Sequence, residues 1–193
     1  MTTIVSPWER ALMAAEKVKE RLRRATKALE GAGVRYAVVG GNAVAEWVAR
    51  VDEGATRNTK DVDILICRAD FTAVKAALEE AGFVYQPVKD MDVFVDGPQG
   101  RASAGVHIHY AGELFSVGCE AMSPDLDESA RADDFQVITL EALTRMKLVA
   151  WRLIDRVHLR DLIGVGQIDM SWPARFLAPL GARLQELLDN PDG

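Results

Sequence analysis

The strongest restriction on how this chain can fold comes from two short signals about twenty residues apart, Gly40-Gly41-Asn42 and Asp61-Val62-Asp63. The first follows Tyr36-Ala37-Val38-Val39, a short β-prone apolar run, and precedes a helix-like stretch over 43–51. The implied order is strand, glycine turn, helix. Glycines at such a turn tolerate backbone angles that other residues avoid and let a ligand approach closely, while the free N–H groups and dipole of the helix start attract phosphate. A Gly-Gly pair alone also suits a plain tight turn. The second signal opens another strand, continued by Ile64-Leu65-Ile66. Residues i and i+2 of a strand share a face, so Asp61 and Asp63 project together with Val62 turned behind them. Two adjacent carboxylates repel, and a hard cation such as Mg2+, which prefers carboxylate oxygens and keeps waters for phosphates, relieves that cost. Arg57 and Lys60 lie in the polar loop 52–60 just before the pair. They can neutralise it at a solvated strand edge or contact phosphates.

Around these signals the chain reads as a mixed α/β protein. Ser6-Pro7-Trp8-Glu9 has the form of a capping box with proline in the first helical turn, and Val18, Leu22, Ala25 and Leu29 then recur at helical spacing until Gly31 and Gly33. The other face of that helix, with Lys17, Lys19, Arg21, Arg23, Arg24 and Lys27, reads as a solvated charged face. A helix is predicted over 71–81, and short strands over 83–87, 91–95 and 106–110. The segment 112–134 reads mostly as loop. Helices follow over 140–154 and 156–165, with a last helical stretch over 171–188 interrupted near Pro179. The expected division is an α/β core over 1–135 and a C-terminal helical segment over 136–193 packed on it.

Composition limits the function classes. A net charge of −6 argues against general adhesion to nucleic acid, which depends on Lys and Arg neutralising phosphates. Cys67 and Cys119 lie far apart without metal-ligand spacing, so they read as free thiols in a reducing compartment. Neither a signal peptide nor an apolar run of about 18 residues stands out, so a cytoplasmic protein with no membrane partner is expected. Gly-Lys-Ser/Thr and Gly-x-Gly-x-x-Gly motifs are absent, which disfavours P-loop and Rossmann nucleotide enzymes.

The ordered combination Gly40-Gly41, then Asp61-Val62-Asp63-Ile64-Leu65, resembles the nucleotidyltransferases of the polymerase-β superfamily over roughly 34–110. The resemblance implies the nucleotidyltransferase fold, a mixed β-sheet flanked by helices with a C-terminal helical tail. It further implies that Gly40, Gly41 and Asn42 bind the triphosphate of an NTP substrate. Asp61 and Asp63 would then hold Mg2+ or Mn2+ for in-line transfer of a nucleoside monophosphate to a hydroxyl of a small molecule, RNA or protein. Met146-Lys147-Leu148 and the stretch 155–162 are similar to the tail of bacterial AbiEii-type nucleotidyltransferases, which implies Lys147 as a catalytic-site residue and a toxin role with an antitoxin partner.

One departure matters. The family's third carboxylate falls on a later strand, where Gly105-Val106-His107-Ile108-His109-Tyr110 carries histidine. Three readings stand open: Asp92 or Asp96 substitutes from the neighbouring strand, His107 serves as ligand or proton acceptor, or two acids suffice. A module that binds nucleotide without turnover is the corresponding alternative function. His107 and His109 have same-face spacing, but with no third Cys or His nearby an alternating polar strand is a better reading than a zinc site.

Overall fold

The computed structural model describes residues 6–114 and 122–190; Cys119 lies outside them, and Cys67 is a free, partly buried thiol. Helix α1 (Pro7–Gly31) starts where the capping box requires. The Glu9 amide donates to Ser6 Oγ at 3.1 Å and the Ser6 amide to Glu9 Oε2 at 2.7 Å, with Pro7 in the first turn. Its stripe Val18, Leu22, Ala25 and Leu29 is buried. The facing basic residues are less uniform than expected, because Arg21 is buried and both Arg21 and Arg24 pair with Asp96.

Among the described residues, seven strands form one mixed sheet in the order β3-β4-β5-β2-β1-β7-β6. They are β1 (Tyr36–Val39), β2 (Val62–Ile66), β3 (Phe83–Tyr85), β4 (Asp92–Asp96), β5 (Val106–Tyr110), β6 (Ser129–Arg131) and β7 (Gln136–Ile138). β2 sits near the middle, antiparallel to β1 and parallel to β5. Alternation assigns the two faces. Tyr36, Val38, Val62, Ile64, Ile66, Val106 and Ile108 pack in one buried cluster with α1 and α3 (Phe71–Glu80). Ala37, Val39, Leu65 and Val137 turn the other way, into a second cluster with α2 (Gly40–Ala49), α4 (Leu140–Ala150), α5 (Leu153–Gly164) and α6 (Ala178–Asp189). The apolar part of that face lies at β1, β7 and Leu65 of β2. The remainder, over β2 and β5, carries polar residues.

Several elements depart from expectation. β6 lies inside the predicted loop, and β7, parallel to β1, extends the sheet three residues past 135. Strands of three residues carry too little alternation to stand out from a polar segment. The helix expected over 140–154 stops at Ala150, because Trp151 adopts a left-handed conformation at φ 49°. The last helical stretch is broken near Pro179 as expected, a short helical turn over Trp172–Arg175 ending at Phe176 before α6 starts with Pro179 in its first turn. No described helix is long and apolar enough to cross a membrane.

Candidate active site

The polar part of the sheet face floors a cleft of about 740 Å3, roofed by α4 and α5 and rimmed by the start of α2 and the loop before β2. That volume lies in the range of ligand pockets, about 300–1,000 Å3. α2 begins at Gly40 itself, three residues earlier than predicted, with no spacer after β1. Gly40 takes φ +65°, and a Cβ built on it would overlap the Asp63 carboxylate. Only glycine fits there. A Cβ on Gly41 would come within 2.9 Å of Thr59 Oγ1. Asn42 is buried, and its amide nitrogen donates to the Asp61 carbonyl at 2.8 Å, tying the helix start to the head of β2.

Asp61 immediately precedes β2 and Asp63 is its second residue, and their carboxylates do share a face. Together with the imidazole of His107, which pairs with Asp63 across the parallel β2–β5 register, they place three ligand atoms within 4.8 Å of one another. Thr59 Oγ1 donates to Asp61 Oδ1 at 2.8 Å. His107 Nε2 donates to the Ala102 carbonyl at 2.7 Å, and Nδ1 stands 3.6 Å from Asp63 Oδ1 and 3.7 Å from Asp61 Oδ2. His109 Nε2 donates to Asp63 Oδ1 at 3.0 Å. Burial alone would push the Asp63 carboxyl upward, but the hydrogen bonds and charges of His107 and His109 outweigh it and hold the group far below the usual carboxylate range. The Asp63 carboxylate reciprocally raises His107, against the opposing effect of burial.

Other candidates divide between the cleft and elsewhere. Asp92 faces the opposite side of the sheet, opposite Ile108, where its carboxylate accepts hydrogen bonds from Tyr85 and Tyr110; it cannot reach Asp63 through the sheet. Asp96, on that same face, is taken up by Arg21 and Arg24. Lys60 lines the cleft, whereas Arg57 is ion-paired to Asp161 of α5 at 2.6 Å and is not among the lining residues. Lys147 also lines it, but is buried with its Nζ 3.0 Å from Asp155 Oδ1.

Three cleft residues escaped the sequence reading. Asp155 is fully buried where α5 starts and accepts from Lys147 and from Arg152 Nε at 2.7 Å. Burial raises its pKa, but the Arg152 hydrogen bond and the Lys147 charge prevail and the carboxyl is lowered. Arg152 also feels the charges of Asp63 and Asp61. His158 is pushed down to about 4, first by burial and then by the Lys147 charge, so it is neutral at neutral pH. The weak signal for Asp155 was its place three residues after the helix N-cap. Arg152 and His158 carried none, since the fold alone brings them to the acids.

Fold and cleft together define a nucleotidyltransferase-type α/β protein. The sequence matches the family described as "Uncharacterised nucleotidyltransferase" over residues 5–138, and the chain belongs to that family. Among solved structures, ANT(2'')-Ia in complex with adenylyl-2''-tobramycin is similar at a TM-score of 0.55 and 15% identity, with 89% of this chain and 98% of that one covered. An antigenic nucleotidyltransferase-like protein from Paracoccidioides brasiliensis is similar at 0.57 and 15%, with 93% and 91% covered. Both show the shared fold. No curated protein sequence matches.

Proposed function

We propose that the protein is a divalent-metal-dependent nucleotidyltransferase that transfers a nucleoside monophosphate from an NTP to a hydroxyl of a small molecule. The observation that carries this is the convergence of Asp61, Asp63 and His107 beside the glycine start of α2. The donors suit a divalent ion, being two carboxylates and an imidazole within one ligand shell's span, next to a glycine whose missing Cβ leaves the Asp63 carboxylate its place. Asp61 and Asp63 would hold Mg2+ or Mn2+, which when bound neutralises charge developing on the phosphates. The amides of Gly41 and Asn42 at the α2 N-terminus face the triphosphate, with Lys60 and Arg152 supplying positive charge at the rim. The acceptor hydroxyl gives its proton to water, its oxygen bonds to the α-phosphorus, and the bond from that phosphorus to the oxygen bridging it to the β-phosphorus breaks, so that pyrophosphate departs.

A small acceptor is favoured over RNA because the cleft is confined between sheet and helices and the chain carries a net charge of −6. The fold of ANT(2'')-Ia, solved with adenylyl-2''-tobramycin, accommodates an adenylylated small molecule. The AbiEii-type likeness, with its toxin role and antitoxin partner, rests on the tail residues alone, and the Lys147–Asp155 pair gives that lysine a structural task. Calorimetric titration with ATP, GTP, CTP and UTP in Mg2+ or Mn2+ tests the proposal. At least one NTP should bind, and Asp61→Ala and Asp63→Ala should each weaken it tenfold or more while a cooperative thermal transition shows that the variants still fold. Equal affinity in both variants would remove the metal role. Binding without label transfer to any hydroxyl metabolite would leave a nucleotide-binding module in place of an enzyme.

A further inference from the structure

The third member of the acid cluster is a nitrogen, and its ring is held in one orientation. His107 lies directly across from Asp63 in the β2–β5 register, with its side chain only 12% exposed. The carbonyl of Ala102 can only accept, so its 2.7 Å contact fixes the N–H on Nε2. The other ring nitrogen, Nδ1, points toward Asp61 and Asp63, at 3.7 and 3.6 Å from their nearest oxygens, and offers its lone pair there once an ion displaces any proton it holds. In an octahedral shell with bonds of about 2.1 Å, neighbouring ligand atoms stand about 3 Å apart, so the three groups need only a small inward adjustment to share one ion.

We propose that His107 ligates the ion through Nδ1, and that this Asp-Asp-His set makes the site select Mn2+ over Mg2+. The inference rests on the reading above, in which Asp61 and Asp63 hold the ion of a nucleotidyltransferase. Mg2+ is a hard ion that favours oxygen ligands, demands near-ideal geometry and gives up water reluctantly. Mn2+ keeps the oxygen-rich octahedral shell that phosphates and carboxylates provide, and follows the first-row trend of accepting imidazole. Zn2+ also accepts imidazole, but settles into about four ligands and leaves less room for phosphate oxygens. His109 is not the nitrogen donor. Its Nε2 already donates to Asp63 Oδ1 at 3.0 Å, which fixes the carboxylate beside His107.

The test uses the whole chain and the two metals alone, then each with ATP. Calorimetry should give Mn2+ binding at least about tenfold tighter than Mg2+, and pulsed electron paramagnetic resonance of the Mn2+ sample should show a directly bound nitrogen. His107→Asp should abolish the nitrogen signal and reduce the Mn2+/Mg2+ ratio about tenfold while both ions still bind. His107→Asn serves as a second variant if the aspartate disturbs folding, as judged by thermal melting, and His109→Gln should keep signal and ratio. A ratio near one in the unaltered protein, or a nitrogen signal that survives at full strength in the His107 variants, overturns the proposal. Ion binding that depends on Asp63 but shows no nitrogen defeats this inference alone. No ion binding at all defeats it together with the nucleotidyltransferase reading.

Discussion

Gly40 is the residue on which the cleft geometry turns. Its φ of +65° is a left-handed conformation, costing a residue with a Cβ about 1 kcal/mol, and that Cβ would displace the Asp63 carboxylate as well. Gly40→Ala should therefore lower the melting temperature and weaken divalent-ion affinity more than tenfold. Gly31→Ala, at the end of α1 with no atom within 4 Å of the added methyl, should leave both unchanged or raise stability slightly. Unaltered ion affinity in Gly40→Ala would show that the close approach is dispensable. His158 supplies a pH signature of its own. In the unfolded chain it takes a proton near pH 6.5, but in the fold only near 4, so the unfolded state binds more protons between those values and stability falls as pH drops from about 6.5 to about 4. Urea midpoints at pH 7, 5.5 and 4.5 should fall in the unaltered protein and fall less in His158→Gln; parallel curves would exonerate the imidazole. At this scale the two acids were legible because strand alternation is a strict period of two. For Asp92 alternation was not enough, and its reading stayed open. Its strand was recognised, but which residues of β4 face the β2 acids depends on register against β5, and register is not written in either strand separately.

Among the elements, α4 and α5 are joined by an ionic contact as well as by packing. Lys147 is 6% exposed and Asp155 not at all, so each is a buried charge whose compensation is the other, helped by Arg152. Asp155→Ala leaves the lysine buried without its partner and should cost about 3–5 kcal/mol by urea denaturation, whereas Lys147→Met with Asp155→Leu should recover most of that loss. A single-variant cost below about 1 kcal/mol would mean that water reaches the lysine. The same pair explains why the tail was only partly readable. Helical periodicity announced both helices, yet the break at Trp151 lacks glycine or proline, so nothing local marked where one ends. β6 and β7 were lost for a related reason. Val137 and Ile138 are buried because β1 and the tail helices surround them, a long-range fact that three residues cannot express.

For the whole molecule, one apolar cluster runs from the sheet into the C-terminal helices. Ala37, Val39, Val44 and Val48 from β1 and α2 are buried together with Leu143, Leu148, Leu159, Leu162, Leu184 and Leu187 from α4, α5 and α6. Each buried leucine contributes roughly 1.5–3 kcal/mol relative to an exposed one, so losing the tail would leave the sheet face uncovered and its stability far below the marginal total of a domain. The helices thus serve two purposes at once: they complete the core and they roof the cleft over Asp61 and Asp63. The full chain should unfold in a single calorimetric transition whose van't Hoff and calorimetric enthalpies agree. A fragment cut after Ile138, the end of both β7 and the family match, should show no cooperative transition and should bind a hydrophobic dye. A sharp transition and retained metal binding in that fragment would instead make the tail a separable cap. The site would then belong to the sheet and α2 alone, with the cleft walls contributed by Lys147, Arg152 and His158 free to vary without loss of the ion.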